Sequence, residues 1–364
     1  MRLFFVFILT STVMLWMLPL HSFAVEEVHV SAKNAIIMEA DSGRIIFEKD
    51  AYEQKPIASI TKIMTALVAL EEGNLQDEVT ISDTATNTYG SAIYLKAKEK
   101  WSLEDLLYGL MLRSGNDAAI AIAEHVGGSE EGFVFMMNEK ASKLGMNSTH
   151  FMNAHGLHEE DHYSTAYDMA ILMQEAMKNE QFQQISSTKQ YKAKNHPYPW
   201  NNKNKLLTRL YPHSTGGKTG FTKISGRTFV STASQDDVNY VAVTLNAADD
   251  WNDHIQMYEH AFTTYKRVIL AKKGKITFEK NEESIEAKIT DHYYYPIKEN
   301  EKDKLHQQIV WKKRDAEDEA ILTYLLDGET IKEIPLQIKT KEDVSWIRRL
   351  FEQFLSLFGV GSHG

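Results

Sequence analysis

No cysteine occurs among the 364 residues. That excludes thiol catalysis, disulfides and cysteine-based metal sites, and it is compatible with export from the cell. A basic surplus is missing too: 40 Lys and Arg stand against 50 Asp and Glu, for a net charge of -10. Nothing here would neutralise a phosphate backbone, so nucleic acid is not an expected partner. Zinc-binding spacing is absent as well. His150, His155, His158 and His162 crowd one polar stretch, but their spacings match no zinc signature, and histidines in such loops are mostly solvated or structural. No metal and no cofactor is expected. Gly216-Gly217-Lys218-Thr219 lacks the upstream glycine of a phosphate loop and the strand-to-helix frame that such a loop needs. What is present is ordinary globular material, 43% hydrophobic and 25% charged, with room for a large core and two domains.

The chain opens with Arg2, a nearly unbroken apolar run from Leu3 to Leu20, and small residues at Ser22 and Ala24. This reads as a secretory signal over residues 1–24, cleaved after Ala24; the alternative is an uncleaved anchor, since the run is long enough to span a bilayer. Residues 34–40 and 44–48 alternate as strands around Asp41-Ser42-Gly43, a hairpin. A helix is expected to begin at Ser59, after Pro56, and to end near Gly73-Asn74. Residues 75–100 read as loops with small strands. Ser102 and Asp105 resemble a capping box opening a helix through Met111. Further helices are expected over 118–126, 133–144, 167–178 and 251–270. Residues 228–233 and 240–245 form a second hairpin, with 218–222 on a strand that opens the same sheet. From 273 to 340 the chain is strongly charged without helical period; 321–326 and 330–338 alternate around Asp327-Gly328, so a small β-rich domain is expected. In residues 341–364, Ile347, Leu350, Phe351, Phe354, Leu355 and Phe358 recur at helical spacing opposite Arg348, Arg349, Glu352 and Gln353. That pattern suits a helix lying in a membrane interface, or one packed on its own domain.

Three short patterns carry chemistry. Ser59 and Lys62 are three apart, so they share a helix face one turn from each other. A neutral amine there can take the serine proton, and a helix N-terminus favours the developing negative charge. Ser114-Gly115-Asn116 occupies a polar joint between two apolar helices, where polar groups need partners; capping alone would also explain it. Lys218-Thr219-Gly220 lies on a strand whose small residues would let a substrate backbone approach.

Taken in this order, Ser59-Ile60-Thr61-Lys62, Ser114-Gly115-Asn116 and Lys218-Thr219-Gly220 resemble the penicillin-recognising serine enzymes. The surrounding residues, Ile57 to Met64 and Leu112 to Ala119, look like the low-molecular-mass penicillin-binding proteins that are D-alanyl-D-alanine carboxypeptidases. Asp249-Asp250-Trp251 looks closest to the sporulation-associated kind. The resemblance covers roughly residues 30 to 270. It implies an α+β, β-lactamase/transpeptidase-like domain over residues 25–272, an antiparallel sheet flanked by helices with a helical subdomain. The β-rich domain and the terminal amphipathic helix follow the same family plan.

It also implies that Ser59 attacks the bond between two D-alanines of a peptidoglycan stem peptide, with Lys62 as base, Ser114 passing the proton on and Asn116 holding the substrate amide. Lys218 would place positive charge near the substrate carboxylate, with Thr219 and Thr222 offering hydroxyls and Gly220 allowing close approach. The backbone amides of Ser59 and Phe221 would form the oxyanion hole. β-Lactams would acylate the same serine. Asn153-Ala154-His155-Gly156-Leu157 matches a family segment and puts His155 near the site. Some relatives clamp the terminal carboxylate with an arginine just before the last long helix. Here that stretch, Asp249 to His254, has none, and Arg227 is a candidate substitute. The implied setting is the outer face of the cytoplasmic membrane and the cell wall. A serine β-lactamase, or a penicillin-sensing protein that kept the fold without turnover, remain rivals. Glu159 and Glu160 lie where a β-lactamase deacylation base would be sought, in a context that does not resemble its loop.

Overall fold

The computed structural model describes residues 28–280, 283–314 and 317–338. The amino-terminal apolar run and the carboxy-terminal amphipathic pattern lie outside the described residues. Strands β1 (Asn34–Glu39) and β2 (Ile45–Lys49) form the expected first hairpin. Helices α1 (Lys62–Glu72), α2 (Leu103–Tyr108), α3 (Asn116–Gly127), α4 (Glu130–Lys143), α5 (Ala166–Ala176) and α6 (Glu180–Ser187) follow. Then come β3 (Ser214–Thr222), β4 (Gly226–Gln235), β5 (Val238–Ala247) and α7 (Asp250–Thr264). The main sheet is five-stranded and antiparallel, in the order β2-β1-β5-β4-β3. β3, which carries Lys218, is therefore an edge strand, with its outer side available to another backbone.

The period of two along β1 divides its side chains between two cores. Ile36 and Met38 join the larger cluster, built on α1 to α6, whereas Ala35 and Ile37 join a second cluster under α7 with Met257, Tyr258 and Ala261. β4 and β5 are divided the same way: Val230, Val241 and Val243 face the first cluster, and Phe229, Tyr240 and Ala242 the second. α1 is buried from Lys62 through Leu70. A helix apolar on all sides belongs at the centre of a molecule rather than on its surface, and that places its first turn between the sheet and the helical layer.

Three expectations need correction. The helix expected from Ser59 is preceded by a 3-10 turn, Ala58–Thr61, and the α-helix proper begins at Lys62. The helix expected through Leu270 ends at Thr264; Tyr265 is extended, and Lys266–Ala271 is a strand paired with Tyr293–Ile297. Val268 and Ile269 favour a strand once partners are available. α3 begins at Asn116 rather than Ala118. α6 has no counterpart in the sequence reading. It is short, its buried side is marked mainly by Phe182 and Ile185, and Asn179 caps it by accepting from the Gln181 and Phe182 amides.

Beyond α7, two three-stranded sheets, one of Gly274–Lys280, Glu283–Ile289 and Gln337–Ile338 and one of Leu305–Arg314, Glu317–Leu326 and Glu329–Pro335, close on a third apolar cluster. Asp327 and Gly328 both have positive φ, 53° and 85°. That is what a two-residue hairpin turn of the mirror-image type requires.

Candidate active site

Chain geometry just before α1 sets the position of Ser59. Ala58 is held at φ 50°, in the left-handed region that costs a residue with a Cβ about 1–2 kcal/mol. The kink turns the chain from the extended Lys55 bridge with Ser164 into the 3-10 turn that bears Ser59. In a 3-10 turn, residues i and i+3 eclipse, so Ser59 and Lys62 meet more directly than α-helical spacing would allow. Lys62 Nζ stands 3.1 Å from Ser59 Oγ; it donates to Asn116 Oδ1 at 2.8 Å and to the His155 carbonyl. A neutral amine has two N–H groups and one lone pair. Two carbonyl oxygens absorb the donors, and the lone pair is left for the serine hydroxyl.

The second element comes from a helix joint. α2 runs into a π-turn, Gly109–Arg113, that ends where Ser114 adopts φ 65°. The Asn116 amide donates to Ser91 O at 2.7 Å, and its side-chain Nδ2 to Tyr89 O at 2.6 Å. Asp117, which the sequence reading passed over, is buried; its carboxylate accepts from the Ile93, Leu95 and Ala118 amides. It pins the 89–95 loop along one wall of the cleft. The available signal was an acidic residue in the first turn of α3.

The third element is β3. Lys218 is buried, and its Nζ donates to Ser114 Oγ at 3.0 Å and to the Thr219 carbonyl at 2.7 Å. Gly220 is required by crowding: a Cβ there would lie 2.9 Å from Ser59 N and 2.4 Å from Thr228 Oγ1. Together these elements wall a cleft of about 430 Å³ that reaches Ser59, Ser114, Thr219, Phe221, Arg227 and Trp251. Lys203 and Ser91, which the sequence reading also missed, sit on the same wall, joined by a 3.1 Å hydrogen bond. Lys203 carried no signal, since it lies in a loop-rich stretch without periodicity.

Two expected residues contribute differently. Thr222 does not line the cleft; its hydroxyl and amide are engaged with Ser225 in the turn that follows. His155 offers Lys62 its carbonyl, while its ring accepts from the Leu157 amide and faces Glu130 at 3.6 Å. Arg227 does line the cleft, ion-paired with Asp250 and lying over the Trp251 ring at 5.7 Å.

Burial and mutual repulsion govern the charges. Burial first, then the Lys218 and Lys203 charges, hold Lys62 well below the usual lysine range. Lys218 is pushed down to about 7, again by burial and then by Lys203. Desolvation disfavours an ammonium, and a neighbouring cation adds to it. The result is an amine that gives up its proton more readily than an ordinary lysine, beside a serine hydroxyl, which is the requirement for an activated nucleophile.

The family described as D-alanyl-D-alanine carboxypeptidase matches residues 21–249. The D-alanyl-D-alanine carboxypeptidase DacF of Bacillus subtilis is 36% identical over 254 residues, which cover 67% of this chain and 65% of that protein. DacC of Escherichia coli is 36% identical over 239 residues, 62% of this chain and 59% of that one. The chain thus spans somewhat less than two thirds of the length of these curated relatives. Among solved structures, the D-alanyl-D-alanine carboxypeptidase DacD from Francisella tularensis superposes with a TM-score of 0.68 at 26% identity, covering 86% of this chain and 94% of that one. Penicillin binding protein 5 from Haemophilus influenzae, at 24% identity and a TM-score of 0.75, covers 86% and 97% and shares the fold.

Proposed function

We propose, from the premise that this chain belongs to the D-alanyl-D-alanine carboxypeptidase family, that it removes the terminal D-alanine from peptidoglycan stem pentapeptides and is acylated by penicillin. The observation that carries the reading is the buried Lys62 Nζ standing 3.1 Å from Ser59 Oγ, its pKa lowered well below the usual lysine range by burial and then by the Lys218 charge. Lys62 takes the Ser59 proton as Oγ attacks the carbonyl between the two D-alanines. The Ser59 and Phe221 amides stabilise the oxyanion. Ser114, held by Lys218, passes a proton to the leaving amine, so the C–N bond breaks and free D-alanine departs. Asn116 and the open edge of β3 at Thr219, Gly220 and Phe221 hold the acyl chain. Water then attacks the ester and regenerates Ser59.

We assign the substrate's terminal carboxylate to Thr219 and Arg227. Arg227 lines the cleft with its side chain 40% exposed beside Asp250, so the outer edge of its planar guanidinium can meet a second carboxylate. Glu159, the candidate base of a β-lactamase, accepts instead from Asn153 Nδ2 at 2.7 Å and braces its own loop, which favours a long-lived penicilloyl enzyme.

The test is labelling with a fluorescent penicillin alongside D-alanine release from a pentapeptide. Wild type should do both and Ser59→Ala neither; equal labelling of the two proteins would refute Ser59 as nucleophile. Rapid hydrolysis of a chromogenic cephalosporin would favour the β-lactamase reading, and labelling without D-alanine release a sensor. The signal-like start and the substrate class support an extracytoplasmic setting at the cell wall. The spacing of apolar residues from Ile347 to Phe358 supports attachment of the tail to a membrane surface, which co-flotation of the full chain with lipid vesicles, lost on truncation after residue 340, would test.

A further inference from the structure

In the polar stretch of histidines, one member that the mechanism above does not use is built into the interior. His162 is buried at 2% exposure. Its Nδ1 accepts from the Met152 amide at 3.1 Å, which fixes the proton on Nε2. Nε2 lies 2.8 Å from Thr61 Oγ1 and so donates to it. The Thr61 hydroxyl, occupied as an acceptor, donates in turn to the Ala58 carbonyl at 2.8 Å. The donors run in one direction: Met152 amide, His162, Thr61, Ala58 carbonyl. Their end point is the residue at positive φ immediately before the nucleophile.

The rest of the cage converges on the two peptide units that flank Ala58. Gly156 approaches so closely that a Cβ would lie 2.0 Å from the Ala58 oxygen. Thr228 Oγ1 donates to the Ile57 carbonyl at 2.9 Å. A carbonyl held on one side fixes the direction of the next N–H, here that of Ser59, because the peptide bond between them is planar. Residues in sparsely populated backbone regions persist only where their surroundings over-determine them.

We propose that His162 is a positioning residue for the nucleophile: through the Thr61 hydroxyl it holds the Ala58 carbonyl, and with it the left-handed turn that aims Ser59 at Lys62 and the Ser59 amide into the cleft. The proposal rests on Ser59 being the nucleophile. Neither His162 nor Thr61 touches substrate, so removing them slows the covalent step and leaves the first, reversible binding of penicillin in place. His162 is neutral, its pKa lowered to about 4 by burial and then by the charges of His150, His158 and Lys62; the one-directional donor chain needs that neutral form.

The experiment is stopped-flow acylation of the full chain by a fluorescent penicillin, with the rate constant for acylation separated from the dissociation constant of the preceding complex. His162→Leu and Thr61→Val should each lower the acylation constant about ten- to a hundredfold, the range expected for a misplaced reacting group, with the dissociation constant unchanged. The double variant should be no slower than either single one, since both break the same chain. His162→Gln, which keeps a donor near Nε2, and Thr61→Ser, which keeps the hydroxyl, should recover most of the rate. Unchanged acylation in folded His162→Leu, or multiplicative losses in the double variant, would overturn the proposal while the wild type still labels. Should His162→Leu not fold, the Thr61→Val and Thr61→Ser pair decides alone: equal rates refute it. A wild type that does not label at Ser59 instead sinks the functional reading itself.

Discussion

Two lysines within one cleft do different work because their surroundings differ. Lys62 is boxed by two carbonyl acceptors and a hydroxyl, and burial first, then the Lys218 charge, disfavours its proton. Lys218 at about 7 is charged below that pH and neutral above it. Acylation should therefore rise with pH as Lys62 loses its proton. It should then fall above about 7, as Lys218 loses the charge that both depresses Lys62 and attracts an anionic substrate. The limbs belong to the coupled pair rather than to either residue. Lys218→Arg keeps its charge at all accessible pH, so the alkaline limb should move upward; a limb that stays in place would refute this assignment. Arg227 gives a second prediction. Arg227→Gln should raise KM for a peptide with a free terminal carboxylate about ten- to a hundredfold, the worth of a hydrogen bond to a charged group. A peptide ending in a carboxamide, which offers Arg227 no charge, should be almost unaffected. Equal losses on both would mean that Arg227 serves only to hold Asp250.

Elements differ in how much of themselves they write into sequence. β4, β5 and α1 were legible because their burial is periodic or continuous, and the three short patterns that meet at the cleft were legible because each is local. The 3-10 turn at Ala58 was not, since its cause lies in Gly156, Thr228 and the pair Thr61 and His162, which only the fold brings together. His155 was placed near the site by its segment, yet its role there is a backbone carbonyl, which no side-chain pattern encodes. The wall made by the 89–95 loop was hidden for the same reason: its anchor, Asp117, is 24 residues from Ile93. An ionised carboxylate accepting several amides is worth more than a single neutral hydrogen bond. Asp117→Ala should accordingly speed hydrogen exchange at the Ile93 and Leu95 amides and lower acylation, because Asn116 shares that wall through Ser91 and Tyr89. Retained exchange protection at both amides would show that the loop is held by something else.

At the scale of the whole molecule, Arg44 makes the tighter of two arginine links between the five-stranded sheet and the β-rich part. Arg44 begins beside β2; its Nη2 meets Glu301 Oε1 at 2.6 Å, its Nη1 donates to the Pro296 carbonyl, and its guanidinium lies 5.0 Å from the Tyr265 ring and 5.2 Å from that of Tyr295. Arg267 adds a weaker link, 3.6 Å from Asp41. The Arg44 pair is mostly buried, at 14% and 16% side-chain exposure, so it is screened little by salt, and losing one partner would strand the other. The two parts have separate apolar clusters, and each is large enough to unfold as its own unit once the connection is weakened. Arg44→Ala should therefore split a single calorimetric transition into two, with the β-rich part melting first. Penicillin acylation should stay at the wild-type rate, since Arg44 lies outside the cleft. A double variant with Glu301→Gln, which can still accept from the Lys298 amide, should melt no earlier than Arg44→Ala alone, because the ion pair is already lost once Arg44 is gone. A single, uniformly lowered transition would mean that the apolar contacts of Tyr265 and Tyr295, rather than the ion pair, join the two parts.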